Sequence, residues 1–118
     1  MNNEEKFSLI NTTRNVVPPV SFAKIKNEVL GKGYSLSLVF IGEKKSGELN
    51  LKYRGKDKPT NVLSFSLDKN AGEIFITPSL AQKEEGFLFI HGCLHLKGME
   101  HGSTMERLET KLRKQFGV

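Results

Sequence analysis

The chain has 118 residues, which suits a single domain over residues 1–118 with one hydrophobic core. Eighteen Lys and Arg against thirteen Asp and Glu give a net charge of +5, which favours an anionic partner without identifying it. A single cysteine excludes an internal disulfide. No apolar run is long enough to cross a membrane, and the N-terminal MNNEEKF has no signal-peptide features, so we expect a cytoplasmic protein with no membrane partner.

The first half of the chain predicts two strands and two helices from the spacing of its apolar residues. In chain order these are a strand over residues 7–10, a helix over 22–30, a strand over 34–41 and a helix over 43–54. Ser21 is the expected N-cap of the first helix, which Gly31 and Gly33 end. The second helix would place Arg54 at its C-terminal end.

The second half predicts a hairpin followed by two helices. A loop over residues 55–61 leads to strands over 62–67 and 73–77, which should pair antiparallel. One helix over 80–97 is apolar on most of its circumference and should be central and buried. A capping box beginning at Ser103 opens the last helix, whose apolar stripe comprises Met105, Leu108, Leu112 and Phe116. The expected fold is α+β, with a small mixed sheet of three to four strands and helices packed around the central helix.

All three histidines of the chain fall within the run HGCLHLKGMEH. His91 and His95 stand four residues apart, on one face of a helix. Gly98 should end that helix in a left-handed conformation and return His101 towards the other two. Three imidazoles plus one water form the open tetrahedral site of a catalytic zinc, so we expect one Zn²⁺ per chain at these histidines.

Two neighbours of the histidines limit the chemistry of this site. Cys93 lies about 200° around the helix from His91 and from His95, so it should face the core and not bind the metal. Gly92 stands where metalloproteases of similar histidine spacing carry a general-base glutamate. A zinc-bound water, acidified to a pKa of about 7, could act without that base.

The run H-G-x-L-H-L-x-G-x-x-H resembles the signature of the YbeY family of bacterial endoribonucleases and ribosomal-RNA maturation factors. Residues 53–65, YRGKDKPTNVLSF, resemble the second diagnostic segment of that family. The resemblance covers residue 49 to the end well and the first forty residues only in general layout. The chain departs from the family at Met99-Glu100, usually an aromatic and an aspartate, and in the short connection between Ile76 and His91.

This resemblance implies a small mixed sheet with helices and a metal in a cleft. It also implies a single-strand endoribonuclease that acts in maturation of the 3′ end of small-subunit ribosomal RNA and in ribosome assembly and quality control. The partners would be RNA, in particular small-subunit ribosomal RNA, and ribosomal assembly proteins. Arg54 falls on the functional arginine of the family.

The basic residues around position 54 suit a phosphodiester substrate. Arg54 is the expected catalytic and substrate-binding residue, because a guanidinium grips two phosphate oxygens. Lys56 and Lys58 are expected to bind the RNA backbone. Tyr53, next to Arg54, is a candidate for stacking on bases, but we expect it to pack inward.

Two other classes of function remain open from the sequence. A zincin-like metallopeptidase is favoured by the histidine spacing and opposed by Gly92. A non-catalytic ribosome-assembly factor would use the metal to hold the fold.

Overall fold

A computed structural model describes residues 6–118 and shows a mixed four-stranded sheet packed with five helices. In chain order the elements are β1 (Phe7–Asn11), α1 (Phe22–Leu30), β2 (Ser35–Phe40), α2 (Glu43–Arg54), β3 (Val62–Asp68), β4 (Ala71–Ile76), α3 (Pro78–Ala81), α4 (Glu85–Leu96) and α5 (Ser103–Phe116). The predicted α+β class is confirmed. No helix among these is long and apolar enough to span a bilayer. Residues 1–5, part of the segment tested for a signal peptide, lie outside the described residues.

The sheet has the strand order β1-β2-β4-β3. β1, β2 and β4 run parallel, and β3 pairs antiparallel with β4, which confirms the predicted hairpin. Leu38 of β2 lies beside Ile74 of β4, and the buried residues of both strands alternate with partly exposed ones. Alternation places one face of the sheet in the core. Among the described strands β3 lies at an edge of the sheet and pairs with β4.

The central helix of the fold is α4, which contacts α1, α5, β3 and β4. It lies on the core face of the sheet, where Gly92 packs against Ile74. A Cβ at position 92 would lie 2.9 Å from Ile74 Cδ1, closer than side chains normally approach. The glycine therefore permits the short distance between helix and sheet, and the prediction of a central, buried helix is confirmed.

The single helix predicted over residues 80–97 is wrong at its start. α3 and α4 are separate, because Gln82 and Lys83 adopt left-handed conformations with φ of 52° and 64°. Neither residue is a glycine, so the sequence carries no signal for the break. A close tertiary contact lies directly after the break, in the first turn of α4. A Cβ at position 86 would clash with Cγ1 of Val118 at 2.6 Å.

The capping box predicted at the start of the last helix is also wrong. Gly102 is the N-cap, and its carbonyl accepts the first helical hydrogen bond from the Glu106 amide at 3.0 Å. Ser103 is therefore the first helical residue and makes no side-chain cap. The predicted apolar stripe is confirmed, since Met105 and Leu112 are buried in the core. Its other two members, Leu108 and Phe116, pack against that core.

Candidate metal centre and its cleft

The three histidines come together at the C-terminal end of α4. His91 and His95 lie one turn apart, with 3.0 Å between their Nε2 atoms. Gly98 has a φ of +103°, and the chain reverses there as predicted. The ring of His101 returns to within 5.0 Å of the His91 ring and 4.8 Å of the His95 ring, measured between centroids. One ligand atom from each histidine lies within 4.8 Å of the other two, close enough to hold one metal ion.

Hydrogen bonds to the Nδ1 atoms of His91 and His95 leave their Nε2 atoms free to bind a cation. Nδ1 of His91 lies 2.5 Å from Oε2 of Glu109, and Nδ1 of His95 lies 3.0 Å from the Met99 carbonyl. Because carbonyl and carboxylate oxygens accept hydrogen bonds, both Nδ1 atoms carry the proton. The two Nε2 lone pairs then face each other, which is unfavourable without a cation between them. Nitrogens that bind one tetrahedral zinc lie about 3.3 Å apart, so the residues fit such an ion.

The protonation state also favours metal binding. Burial lowers the pKa of His95 below its ordinary value, and the neighbouring His91 and His101 lower it further. The hydrogen bond to Met99 and the charge of Glu109 oppose that shift in pKa without reversing it. Neutral imidazole is the form that binds metals, so these surroundings maintain His95 in the competent state.

Glu109 is a component of this site that we did not predict. It lies on α5, its side chain is 12% exposed, and it holds His91 through Nδ1. A carboxylate behind a metal-binding histidine fixes the orientation of the ring and raises the affinity for the metal. The sequence does contain a signal for it: Glu109 falls between Met105 and Leu112 in the apolar stripe of α5, where a charged residue needs a partner.

The turn after α4 orients His95 through the backbone. The Met99 carbonyl accepts the hydrogen bond from His95, and the Met99 amide donates to the Leu94 carbonyl at 3.0 Å. Met99 takes part in both contacts through its main-chain atoms only. The departure from the family pattern at Met99 therefore leaves the support of His95 intact.

Cys93 and Gly92 lie where the sequence indicated. Cys93 is fully buried in the core, and burial raises the pKa of its thiol, which keeps it protonated. Gly92 faces Ile74 with no room for a side chain. A glutamate at position 92 would have to displace the core of the sheet, so the close packing explains the absence of the peptidase carboxylate.

A cleft of about 560 Å³ contains the three histidines. Its lining comes from three segments, namely the end of α2, the first half of β3 with the two residues before it, and α4 with the turn that follows it. They are Tyr53, Arg54, Thr60, Asn61, Val62, Leu63, Ser64, Phe65, His91, Gly92, His95 and His101. Arg54 thus lines the same cleft as the histidines, and this lining includes no Asp or Glu. Its formal charge is positive.

Polar contacts hold the end of α2 beside this cleft. Ser46 Oγ donates to the Thr60 carbonyl at 2.8 Å and accepts from the Thr60 amide at 2.9 Å. Asn50 Nδ2 donates to the Lys58 carbonyl at 2.8 Å. Both Ser46 and Asn50 are buried. These bonds fasten the predicted loop over residues 55–61 against α2.

The expected substrate residues differ in where they lie. Arg54 is exposed and lines the cleft, and Gly55 ends α2 directly after it with a φ of 71°. Lys56 and Lys58 are exposed on the loop and lie outside the lining of the cleft. Arg54 therefore shares a cleft with the histidines, whereas the two lysines do not line it.

The prediction that Tyr53 packs inward is wrong. The residue is 56% exposed, and its ring lies 5.0 Å from the Phe65 ring on β3, between centroids. The buried residues of α2, Ser46 and Asn50, lie in its earlier turns, and its last turn leaves Tyr53 uncovered. Both rings line the cleft.

Comparison with known proteins agrees with the architecture of this site. The family model described as Endoribonuclease YbeY matches residues 1–117. A curated protein of Rubrobacter xylanophilus named Endoribonuclease YbeY is 44% identical over 63% of this chain, and this match spans 58% of that protein's length. One of Lactobacillus gasseri with the same name is 26% identical over 98% of this chain and 87% of its own.

A solved structure shows the same fold. The solution structure of TM1509 from Thermotoga maritima superimposes with a TM-score of 0.56, at 23% identity over 89% of this chain and 85% of that one. At this identity the likeness concerns the fold alone. Taken with the match of the family model over residues 1–117, the histidine turn and the fold lead to one conclusion: the chain belongs to the YbeY endoribonuclease family.

Proposed function

We propose that this chain, as one domain over residues 1–118, is a zinc-dependent endoribonuclease that cuts single-stranded RNA. Its role would be maturation of the 3′ end of small-subunit ribosomal RNA, together with ribosome assembly and quality control. Membership of the family supports the nuclease activity. The ribosomal role and its partners, small-subunit ribosomal RNA and ribosomal assembly proteins, rest on the sequence resemblance.

The observation that carries the proposal is the composition of the cleft. A three-histidine cluster and Arg54 line one cavity without a carboxylate among the residues that line it. A phosphodiester is an anion and needs cationic groups around its reacting phosphorus. A peptide bond is neutral, and its hydrolysis at such a site normally uses a glutamate, for which Gly92 leaves no room.

The roles of the residues follow from their positions. His91, His95 and His101 would hold the zinc through ring nitrogens, and Glu109 would hold His91 in place. When bound, the zinc supplies a Lewis acid that makes a water nucleophilic near neutral pH. Arg54 would bind the non-bridging oxygens of the phosphate and favour the extra charge that develops in the transition state.

The lysines have a weaker role in this proposal. Lys56 and Lys58 lie on the loop beside the cleft and would follow the RNA backbone without contacting the reacting phosphate. Such contacts contribute salt-dependent affinity that does not depend on base sequence. We therefore assign substrate binding to all three cations and catalysis to Arg54.

Incubation of zinc-loaded and chelated protein with labelled single-stranded RNA and, separately, with casein tests the function. We expect zinc-dependent cleavage of RNA and no cleavage of casein. Zinc-dependent proteolysis without RNA cleavage would identify a metallopeptidase. Cleavage of neither substrate by protein with full metal content would favour a non-catalytic assembly factor with a structural metal.

A further inference from the structure

An aromatic pair lies beside Arg54 at the margin of the cleft. The Tyr53 ring, 56% exposed, lies 5.0 Å from the partly buried Phe65 ring at an interplanar angle of 58°. Phe65 in turn lies 5.8 Å from Phe75 on the neighbouring strand. The exposed ring thus packs on Phe65, which in turn packs on Phe75. We call Tyr53 and Phe65 the aromatic platform.

The surroundings of the platform select the chemistry of its ligand. Four cations and one acid lie between positions 52 and 58: Lys52, Arg54, Lys56, Lys58 and Asp57. An exposed aromatic face flanked by cations suits a nucleobase whose neighbouring phosphates meet the positive charges. An apolar peptide would gain nothing from those charges.

We infer that the aromatic platform stacks one base of a single-stranded nucleic acid next to the phosphate held by Arg54. This inference deepens the proposed function and rests on it for the identity of the phosphate. Tyr53 and Arg54 are adjacent in the chain and line the same cleft as the three histidines. A base on Tyr53 and a phosphate at Arg54 would therefore belong to the same nucleotide or to adjacent nucleotides of one strand.

A stacked base would displace the Lys52 side chain from the Tyr53 ring. Its Nζ lies 5.1 Å from the centroid of the Tyr53 ring, a contact between two exposed side chains. Stacking of a base on an aromatic ring contributes more than an exposed cation–π contact. The freed ammonium group is then available to a phosphate of the same strand.

The test measures binding of a short single-stranded DNA oligonucleotide that carries one 2-aminopurine, in titrations followed by fluorescence. Tyr53→Leu removes the ring and retains apolar bulk, and Tyr53→Phe retains the ring. Leu51→Ala is the matched control, because Leu51 is 50% exposed on the same helix and lies outside the lining of the cleft. Thermal unfolding of each variant checks that the fold is retained.

We expect Tyr53→Leu to weaken binding about fivefold to hundredfold and to abolish the quenching of 2-aminopurine that stacking produces. Tyr53→Phe and Leu51→Ala should bind as the parent does. The salt slope of Tyr53→Leu should equal that of the parent, since no charge is lost. Parent-like affinity of Tyr53→Leu, or an equal loss in Leu51→Ala, would overturn the inference, as would a Tyr53-dependent dimer in sedimentation experiments.

Base stacking by Tyr53 and cleavage of RNA can be tested independently of each other. If the parent cleaves RNA while Tyr53→Leu binds DNA normally, the platform is wrong and the nuclease stands. If the parent stacks 2-aminopurine through Tyr53 but cleaves no RNA, the platform stands and the nuclease is wrong.

Discussion

The two sides of the cleft are held in place in opposite ways. His91 and His95 lie on α4, whose other faces are buried against α1, α5 and the sheet. Arg54 lies at the end of α2, whose buried residues, Ser46 and Asn50, are both polar. Hydrophobic packing thus holds the metal side, and hydrogen bonds to a loop hold the arginine side.

This difference indicates how the site divides its tasks. A metal site needs ligands fixed within a fraction of an ångström, which a packed helix and a buried carboxylate provide. A substrate group must meet a flexible polymer, and an exposed helix end allows that contact. Substitutions on the metal side should therefore change metal content, whereas those on the arginine side should change rate or binding alone.

The largest effect is expected from His95→Ala. Two remaining histidines leave the metal without a fixed third ligand, so metal content should fall from one per chain to near zero and RNA cleavage should be undetectable. Elemental analysis and a cleavage assay measure both. Glu100→Ala is the control, as Glu100 is exposed beside His101 and contributes no ligand. One metal per chain in purified His95→Ala would remove His95 from the site.

The second largest effect is expected from Arg54→Ala, which should lower the single-turnover rate of RNA cleavage by about two to three orders of magnitude. The arginine side chain is exposed, so thermal stability and metal content should stay at the parent values. Lys52→Ala removes a neighbouring cation and should change the rate far less. A parent-like rate in Arg54→Ala with normal metal content would show that the arginine has no part in catalysis.

Glu109→Gln should weaken metal binding about tenfold to hundredfold, because the neutral amide supports the His91 ring less well. Competition with a fluorescent chelator measures the dissociation constant. Glu106→Gln, three residues earlier on the exposed face of α5, is the matched control and should bind metal as the parent does. Equal affinities for Glu109→Gln and the parent would reduce Glu109 to a structural role.

The smallest effects belong to Lys56→Ala and Lys58→Ala. Each should lower the dependence of RNA affinity on salt by about 0.7 in the log–log slope, with the single-turnover rate unchanged. Lys114→Ala, on α5 and outside the lining of the cleft, should leave the slope as it is. A large loss of the single-turnover rate in either variant would show that the substituted lysine takes part in catalysis.

Local signals sufficed to predict most of the secondary structure. The bounds of α2 matched the prediction at both ends because glycines 42 and 55 flank it and Gly55 adopts the left-handed conformation. The histidine turn was predictable for the same reason, because the chain reverses at Gly98 and returns His101 to the other histidines. In both cases the signal lies within a few residues of the feature.

Features set by distant contacts were not predictable in this way. The break at Gln82 and Lys83 uses left-handed residues without glycine, and the exposure of Tyr53 depends on which part of α2 the rest of the fold covers. Glu109 meets His91 across eighteen residues, a contact that only the packing of α5 on α4 creates. Arg54 and the histidines line one cleft, and this too depends on how α2 and α4 pack in the folded chain.

In the proposed reaction a metal at the three histidines and Arg54 would act on the same RNA phosphate. Zinc titration of metal-free protein, followed by single-turnover RNA cleavage at each step, tests it most directly. We expect the rate to rise until one equivalent of zinc is bound, in the parent and in Arg54→Ala alike, with a plateau about two to three orders of magnitude lower in the variant. A cleavage rate that does not depend on zinc, or equal plateaus for the two proteins, would contradict the account.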